Sequence, residues 1–186
     1  SVRLRVVTVI PPNNGSILPS STFATNNGAS VAFTATPDAG YLVDRWYVNG
    51  AQQSSTNRTF TLSNIRADTS IEVRFKVQPR FTVTGADVLD NQTGLTWKKD
   101  AALYAEMNWA SAKTTAAQAG RRLPTRGELL SLYPLPSGHP FLNIYNTYYW
   151  TIENGDTSSL VWCVNVQTGQ SMQRSAFTTG RAWLVK

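Results

Sequence analysis

Between Arg3 and Val77 no helical repeat occurs; short runs with apolar residues at alternate positions are cut by clusters of turn-forming residues. RLRVVTVI (3–10) stops at PPNNGS, and SVAFTAT (30–36) puts Val31, Phe33 and Ala35 on one side before PDAG turns the chain. YLVDRWYV (41–48) then meets Asn49-Gly50, and RTFTLS (58–63) and SIEVRFKV (70–77) follow, the last with Ile71, Val73 and Phe75 on one face. A period of two with punctuated ends is the signature of strands that bury one face. Asn-Gly most readily supplies the two positive φ angles of a type I′ hairpin. Residues 1–78 are therefore expected to form a small antiparallel β domain. Trp46, the single tryptophan of this half, reads as a core aromatic, and no chemistry is assigned here.

From Arg80 onward helices enter. FTVTGADVLDNQTGLTWKK reads as short strands with DNQTG as a turn. Asn108 is suited to cap a helix in NWASAKTTAAQAG that ends at Gly120, with Trp109, Ala112, Ala116 and Ala119 as its apolar stripe. Pro124 keeps Leu123 out of helical geometry. Thr125 and Glu128 then form a capping box ahead of Leu129, Leu130 and Leu132. Strand-like runs follow at 147–153, 160–166, 170–175 and 181–186. The expected class is α+β, a β domain (1–78) followed by a second domain (79–186) with two short helices.

Charged residues make up 15% of the chain, and the formal charge is +6. That balance suits an extracellular β-rich protein with acidic partners, although no Lys/Arg run exceeds two. Cys163 is the only cysteine, so no intrachain disulfide or multi-cysteine zinc site can form. No apolar run approaches the ~20 residues of a membrane span. The expectation is a soluble mature fragment of something longer, without direct membrane insertion.

Two resemblances carry the reading further. TV-x-PPNNGSI, VAFTATPDAGYLVDRWYVNG and ADTSIEVRF resemble the divergent InlB-type B-repeat of bacterial surface proteins, which implies a spacer module outside the cell. DNQTGLTW, Trp109 and Ala112, RLPTRGELLSL and Tyr149-Trp150-Thr151 resemble the C-type lectin-like domain of unknown function at the C-terminus of the Legionella collagen-like adhesin. That likeness implies adhesion, with sulfated host polysaccharide as ligand and a homotrimer as a possible assembly. It also resembles the order of modules at intimin and invasin tips, where the partner is a protein receptor. Two departures stand out: Arg121 where the family usually has Trp, and an RAWLVK ending where it has one like RCVR.

Enzyme chemistry finds no support in the sequence. His139 lies in the loop PSGHPF, Cys163 sits between two valines in a strand, and GxSxG, HExxH and phosphate-cradling glycine loops are absent. The EPN and WND triplets of calcium-dependent sugar binding are missing too, and ENGD (153–156) reads as a hairpin turn centred on Asn-Gly. No metal or cofactor is expected. Nucleic acid is ranked below adhesion, because no recognition helix carries clustered arginines.

Candidate ligand-binding residues are Lys98, Lys99, Arg121 and Arg126 as a cationic patch, and Tyr145 and Tyr148 on an irregular segment. Arg122, inside the RLPT motif, is expected to pair with a carboxylate or backbone carbonyls, whereas Arg121 and Arg126 are expected to face solvent. A sulfated glycan is favoured as partner. A surface protein, or a trimerisation or pilus-tip role with no ligand, are the alternatives.

Overall fold

The computed structural model describes residues 3–186. The chain divides into two compact units, Ser1–Gln78 and Pro79–Lys186.

Among the described residues the first unit has the strands β1 (Leu4–Val9), β2 (Gly15–Leu18), β3 (Phe23–Asn26), β4 (Ala29–Pro37), β5 (Tyr41–Val48), β6 (Ala51–Gln52), β7 (Thr59–Ile65) and β8 (Thr69–Val77). They form one sheet in the order β3-β1-β8-β5-β6 and another in the order β2-β4-β7. The alternation seen in the sequence becomes burial: Val7, Val9, Ile17, Phe33, Ala35, Trp46, Ile71 and Val73, drawn from both sheets, share one core. Trp46 is stacked on Phe60 at 5.3 Å, and its indole N–H donates to the Asn57 carbonyl at 2.8 Å. Asn49 and Gly50, between β5 and β6, take φ of 50° and 76°. Both angles are positive, as a type I′ hairpin demands.

One pairing departs from the antiparallel expectation. β1 runs parallel to β8, with Val7 opposite Thr69 and Val9 opposite Ile71. Local alternation specifies which residues of a strand are buried. Strand direction, by contrast, depends here on the long connection from Val9 to Thr69 and leaves no local trace. β2, β3 and β6 were also not marked by the sequence patterns; at two to four residues they are too short for periodicity to register.

The second unit begins with the antiparallel sheet β9 (Phe81–Thr84), β10 (Asp87–Asp90) and β11 (Thr96–Lys98). Helix α1 (Trp109–Gln118) starts at Asn108, whose side chain accepts from the Ser111 N–H. Helix α2 (Arg126–Ser131) starts at Thr125 with a complete capping box, because Thr125 accepts from the Glu128 N–H while the Glu128 carboxylate accepts from the Thr125 N–H. A second antiparallel sheet follows in the order β12 (Tyr149–Asn154), β13 (Leu160–Asn165), β14 (Gln170–Ser175).

Two side-chain clusters fill this unit. Ala112 and Ala116 of α1 pack with Trp150, Val161, Cys163 and Leu184. Leu129 and Leu132, at α2, join Trp97, Phe141, Tyr149, Val164 and Trp183. The ending RAWLVK is extended and largely buried, but it is held by isolated bridges rather than a regular strand: Val185 bridges both Trp97 and Arg122, and Arg181 bridges Tyr149. ENGD is likewise not a two-residue turn. Asn154 still pairs with Val161, the Gly155 N–H reaches the Leu160 carbonyl, and residues 155–159 make a wider loop.

Candidate functional site

The crossing between the two helices is held by short-range chemistry. Arg122 exchanges both backbone hydrogen bonds with Val185 at 3.0 Å, which leaves its side chain free to turn toward α2. There the guanidinium grips Glu128 through two bonds of 2.7 Å. The Arg122 hydrogen bond, opposed by desolvation and assisted by the Thr125 backbone N–H, holds the Glu128 carboxyl below its ordinary value. Arg122 is thus a structural partner of the capping box, as its place in the motif suggested.

Arg121 behaves differently from expectation. Its guanidinium is only 7% exposed, bonded to an Asp87 oxygen and, at 3.0 Å, to the Thr96 carbonyl. Lys98 takes the other Asp87 oxygen at 3.0 Å. The register of β10 on β11 sets Asp87 opposite Lys98, and the chain leaving α1 delivers Arg121 to the same carboxylate. Burial would raise the Asp87 carboxyl, but the Lys98 hydrogen bond and the Arg121 charge outweigh it and hold it below its ordinary value. Two of the four candidate cations are therefore brought together, but on one partly exposed carboxylate of the fold rather than as free charges.

The other two are not drawn to Asp87. Arg126 stands over the Trp162 ring at 4.3 Å, and its backbone N–H donates to Glu153 at 3.1 Å. Lys99 is half-buried and takes part in no ion pair among the described residues. Lys113 lies over Trp109 at 3.5 Å and Arg174 over Trp150 at 5.8 Å. Both repeat the cation-on-indole arrangement of Arg126.

Tyr145 and Tyr148 share the irregular segment before β12 but have different partners. Tyr145 is exposed, with Arg181 over its ring at 4.3 Å, and its backbone N–H donates to the Tyr149 hydroxyl at 3.0 Å. Arg181 in turn lies 3.6 Å from Glu106. Tyr148 is half-buried, and its hydroxyl donates to the Gln170 side chain at 3.4 Å. The contacts of Arg181 with Glu106 and Tyr145 have no sequence signal, because nothing local ties a residue near 181 to one before α1.

A cavity of about 590 Å³ was missed as well. It lies between the segment after α2 and the β13–β14 connection, and its wall includes Tyr133, Pro136, His139, Ile144, Val166 and Gln167. The only signal was the proline cluster PLPSGHP, which marks a loop without saying that it surrounds a space. Cys163 is buried and bonded to the Met172 carbonyl at 3.3 Å. Desolvation, opposed by Arg174, pushes its thiol up to about 11, which makes it a poor nucleophile at neutral pH. Among the described residues no cluster of three or more His, Cys, Asp or Glu side chains could hold a metal ion, and no helix is long and apolar enough to cross a membrane.

These features describe a mostly β protein of two compact units, the second carrying two short helices on small antiparallel sheets. Residues 86–186, more than half of the chain, match the Lcl C-terminal domain, and the chain belongs to that family. Residues 5–79 match the divergent InlB B-repeat domain. A search of curated proteins finds no match. Among solved structures, that of the Yersinia pseudotuberculosis adhesin InvE is similar at 12% identity and a TM-score of 0.35, covering 99% of this chain and 69% of that one.

Proposed function

We propose that this chain is an extracellular attachment module of a bacterial surface protein, in which the second unit binds the ligand and the first is a spacer. The observation that carries this reading is the pairing of two matches in one chain, an InlB-type repeat followed by an Lcl C-terminal domain. A C-type lectin-like arrangement of the second unit is supported by the order of its elements: a strand meander, two short helices joined by an extended crossing, a three-stranded sheet, and a final segment that returns to β11.

The ligand class favoured is a glycan, bound without calcium. A sulfated polysaccharide would be attracted by cations of this unit that take part in no ion pair among the described residues, Lys99 and Arg126 among them, with Tyr145 and Tyr148 as aromatic contacts. Arg121 and Lys98 serve Asp87, so they belong to the fold more than to such a patch. Retention of the whole chain on heparin, followed across a sodium chloride gradient, tests this reading. The double variant Lys99→Glu/Arg126→Glu is expected to elute at clearly lower salt, and wild-type retention is expected to survive a chelator. Equal elution of variant and wild type would remove the sulfated-glycan reading, and loss of retention with EDTA would remove calcium independence.

A protein-contact role is the second reading. Phe177 is 83% exposed just beyond β14, Met172 is exposed on that strand, and β14 is the edge of its sheet. An open edge beside exposed apolar side chains suits contact with another chain. Light scattering that finds a trimer, beside a glycan array with no bound species, would favour assembly over glycan attachment.

A further inference from the structure

The cavity of about 590 Å³ falls within the ~300–1,000 Å³ range of small-ligand sites. Among the described residues no Lys, Arg, Asp or Glu contributes to its wall, in a unit where charged side chains are otherwise distributed over the surface. An anionic ligand would find no lysine or arginine there, and a purely apolar one would leave polar groups stranded.

Those polar groups have a definite pattern. One N–H of the Gln167 side chain donates to the Ile144 carbonyl at 2.9 Å, which leaves the other N–H and the amide oxygen for a ligand. Ser137 adds a hydroxyl-bearing side chain to the same wall, a group that can both donate and accept. The apolar part of the wall comes from the half-exposed Tyr133 together with Pro136, Ile144 and Val166. An aromatic ring beside an amide that both donates and accepts is complementary to a pyranose ring, whose C–H face is apolar and whose rim carries hydroxyls.

The site is also preorganised. Pro134, Pro136 and Pro140 restrict the backbone of the loop. The Tyr133 ring lies against Gly169, where a Cβ would come within 2.6 Å of the ring's Cδ1 and where φ is +71°. Only glycine accommodates both the backbone conformation and the close ring.

We propose that this cavity binds an uncharged sugar, with Tyr133 as the stacking surface and the Gln167 amide as the hydrogen-bonding group. The inference rests on the glycan reading above but assigns it a site and an uncharged ligand. The test is an array of neutral oligosaccharides carrying glucose, galactose and mannose, with heparin as the charged comparator, followed by titration calorimetry with the best neutral binder. Affinity for that binder is expected to change less than about twofold between about 0.15 and 0.5 M sodium chloride, because no charge is neutralised on binding. Tyr133→Ala is expected to weaken it by about tenfold or more, the usual loss on truncating an aromatic anchor. Tyr133→Phe should stay within about threefold of wild type, since the ring is kept.

Gln167 is exposed, so Gln167→Ala keeps the test valid even if Tyr133→Ala fails to fold; it should cost about threefold or more. Neutral-sugar binding that survives Gln167→Ala and Tyr133→Ala would overturn the site while leaving the glycan reading in place. Binding to heparin alone would overturn the neutral ligand and leave the charged reading standing. Absence of all glycan binding would remove both.

Discussion

Each unit is completed by a terminal segment of its own sequence, but by different means. In the first, β1 lies inside its sheet, paired with β3 on one side and β8 on the other, so a backbone ladder holds it. In the second, residues 181–186 reach the interior through scattered bridges, and side chains provide the hold. Trp183 lies 5.3 Å from Trp97 and 4.9 Å from Phe141, and its N–H donates to the Lys98 carbonyl at 2.7 Å, across 85 residues of chain. Ladder bonds are distributed, whereas a packed indole concentrates its contribution at one position. Single side-chain truncations should therefore damage the second unit more than the first. Trp183→Ala is expected to cost about 3–5 kcal/mol. Urea unfolding followed by hydrogen exchange with mass spectrometry, which separates peptides of the two units, should show the second unit's transition moving alone. Val7→Ala, in the middle of β1, should cost less. A reversed order of these two effects would break the comparison.

Ion pairs sharpen the same contrast. In the first unit, Arg74–Glu72 and Lys76–Asp44 have half-exposed cations, and such pairs contribute little. In the second, Asp87 serves two cations, one of them nearly buried. Asp87→Asn leaves Arg121 without its counter-charge and is expected to cost about 2–3 kcal/mol, below the range for a fully buried pair because Asp87 is partly exposed. The pH dependence has a definite sign. The Asp87 carboxyl is held below its ordinary 3.8. Its contribution is fully present above that value and is lost as pH falls through the lower folded-state value. Glu128, depressed from 4.5, adds in the same direction. Stability of the second unit should thus fall as pH drops below about 4, and the fall should be shallower in Asp87→Asn. Parallel wild-type and variant curves would show that Asp87 does not govern it.

What the sequence made legible follows the same division. Signals confined to a few neighbouring residues came through: the Asn49-Gly50 hairpin, the Asn108 cap, the Thr125/Glu128 box and the alternation that buries Phe33, Trp46 and Ile71. Properties set by distant chain were hidden. The parallel pairing of β1 with β8 is one, and the burial of Arg121 against Asp87, thirty-four residues away, is another. Arg121 read as a solvent-facing cation because its own neighbourhood is polar. The cavity of Tyr133 and Gln167 was illegible for a third reason, since a space between two connections has no residue pattern of its own.

The smallest effect tests whether local signals are also local in energy. Thr125 accepts one hydrogen bond from the Glu128 N–H at 3.1 Å, while Glu128 also accepts from the Thr125 N–H at 2.8 Å and from Arg122. Thr125→Ala removes only the first of these, so about 1 kcal/mol is expected, the usual value for an N-cap. Glu128→Ala removes the reciprocal bond and the ion pair together, and leaves Arg122 half-exposed without its acid, so it should cost more than Thr125→Ala. Neither change should alter the first unit, nor the urea dependence of the second, because α2 is a single short element and its loss of a cap exposes little new surface. If Thr125→Ala instead cost as much as Trp183→Ala, the crossing between the helices, rather than the returning C-terminal segment, would be what holds the second unit closed.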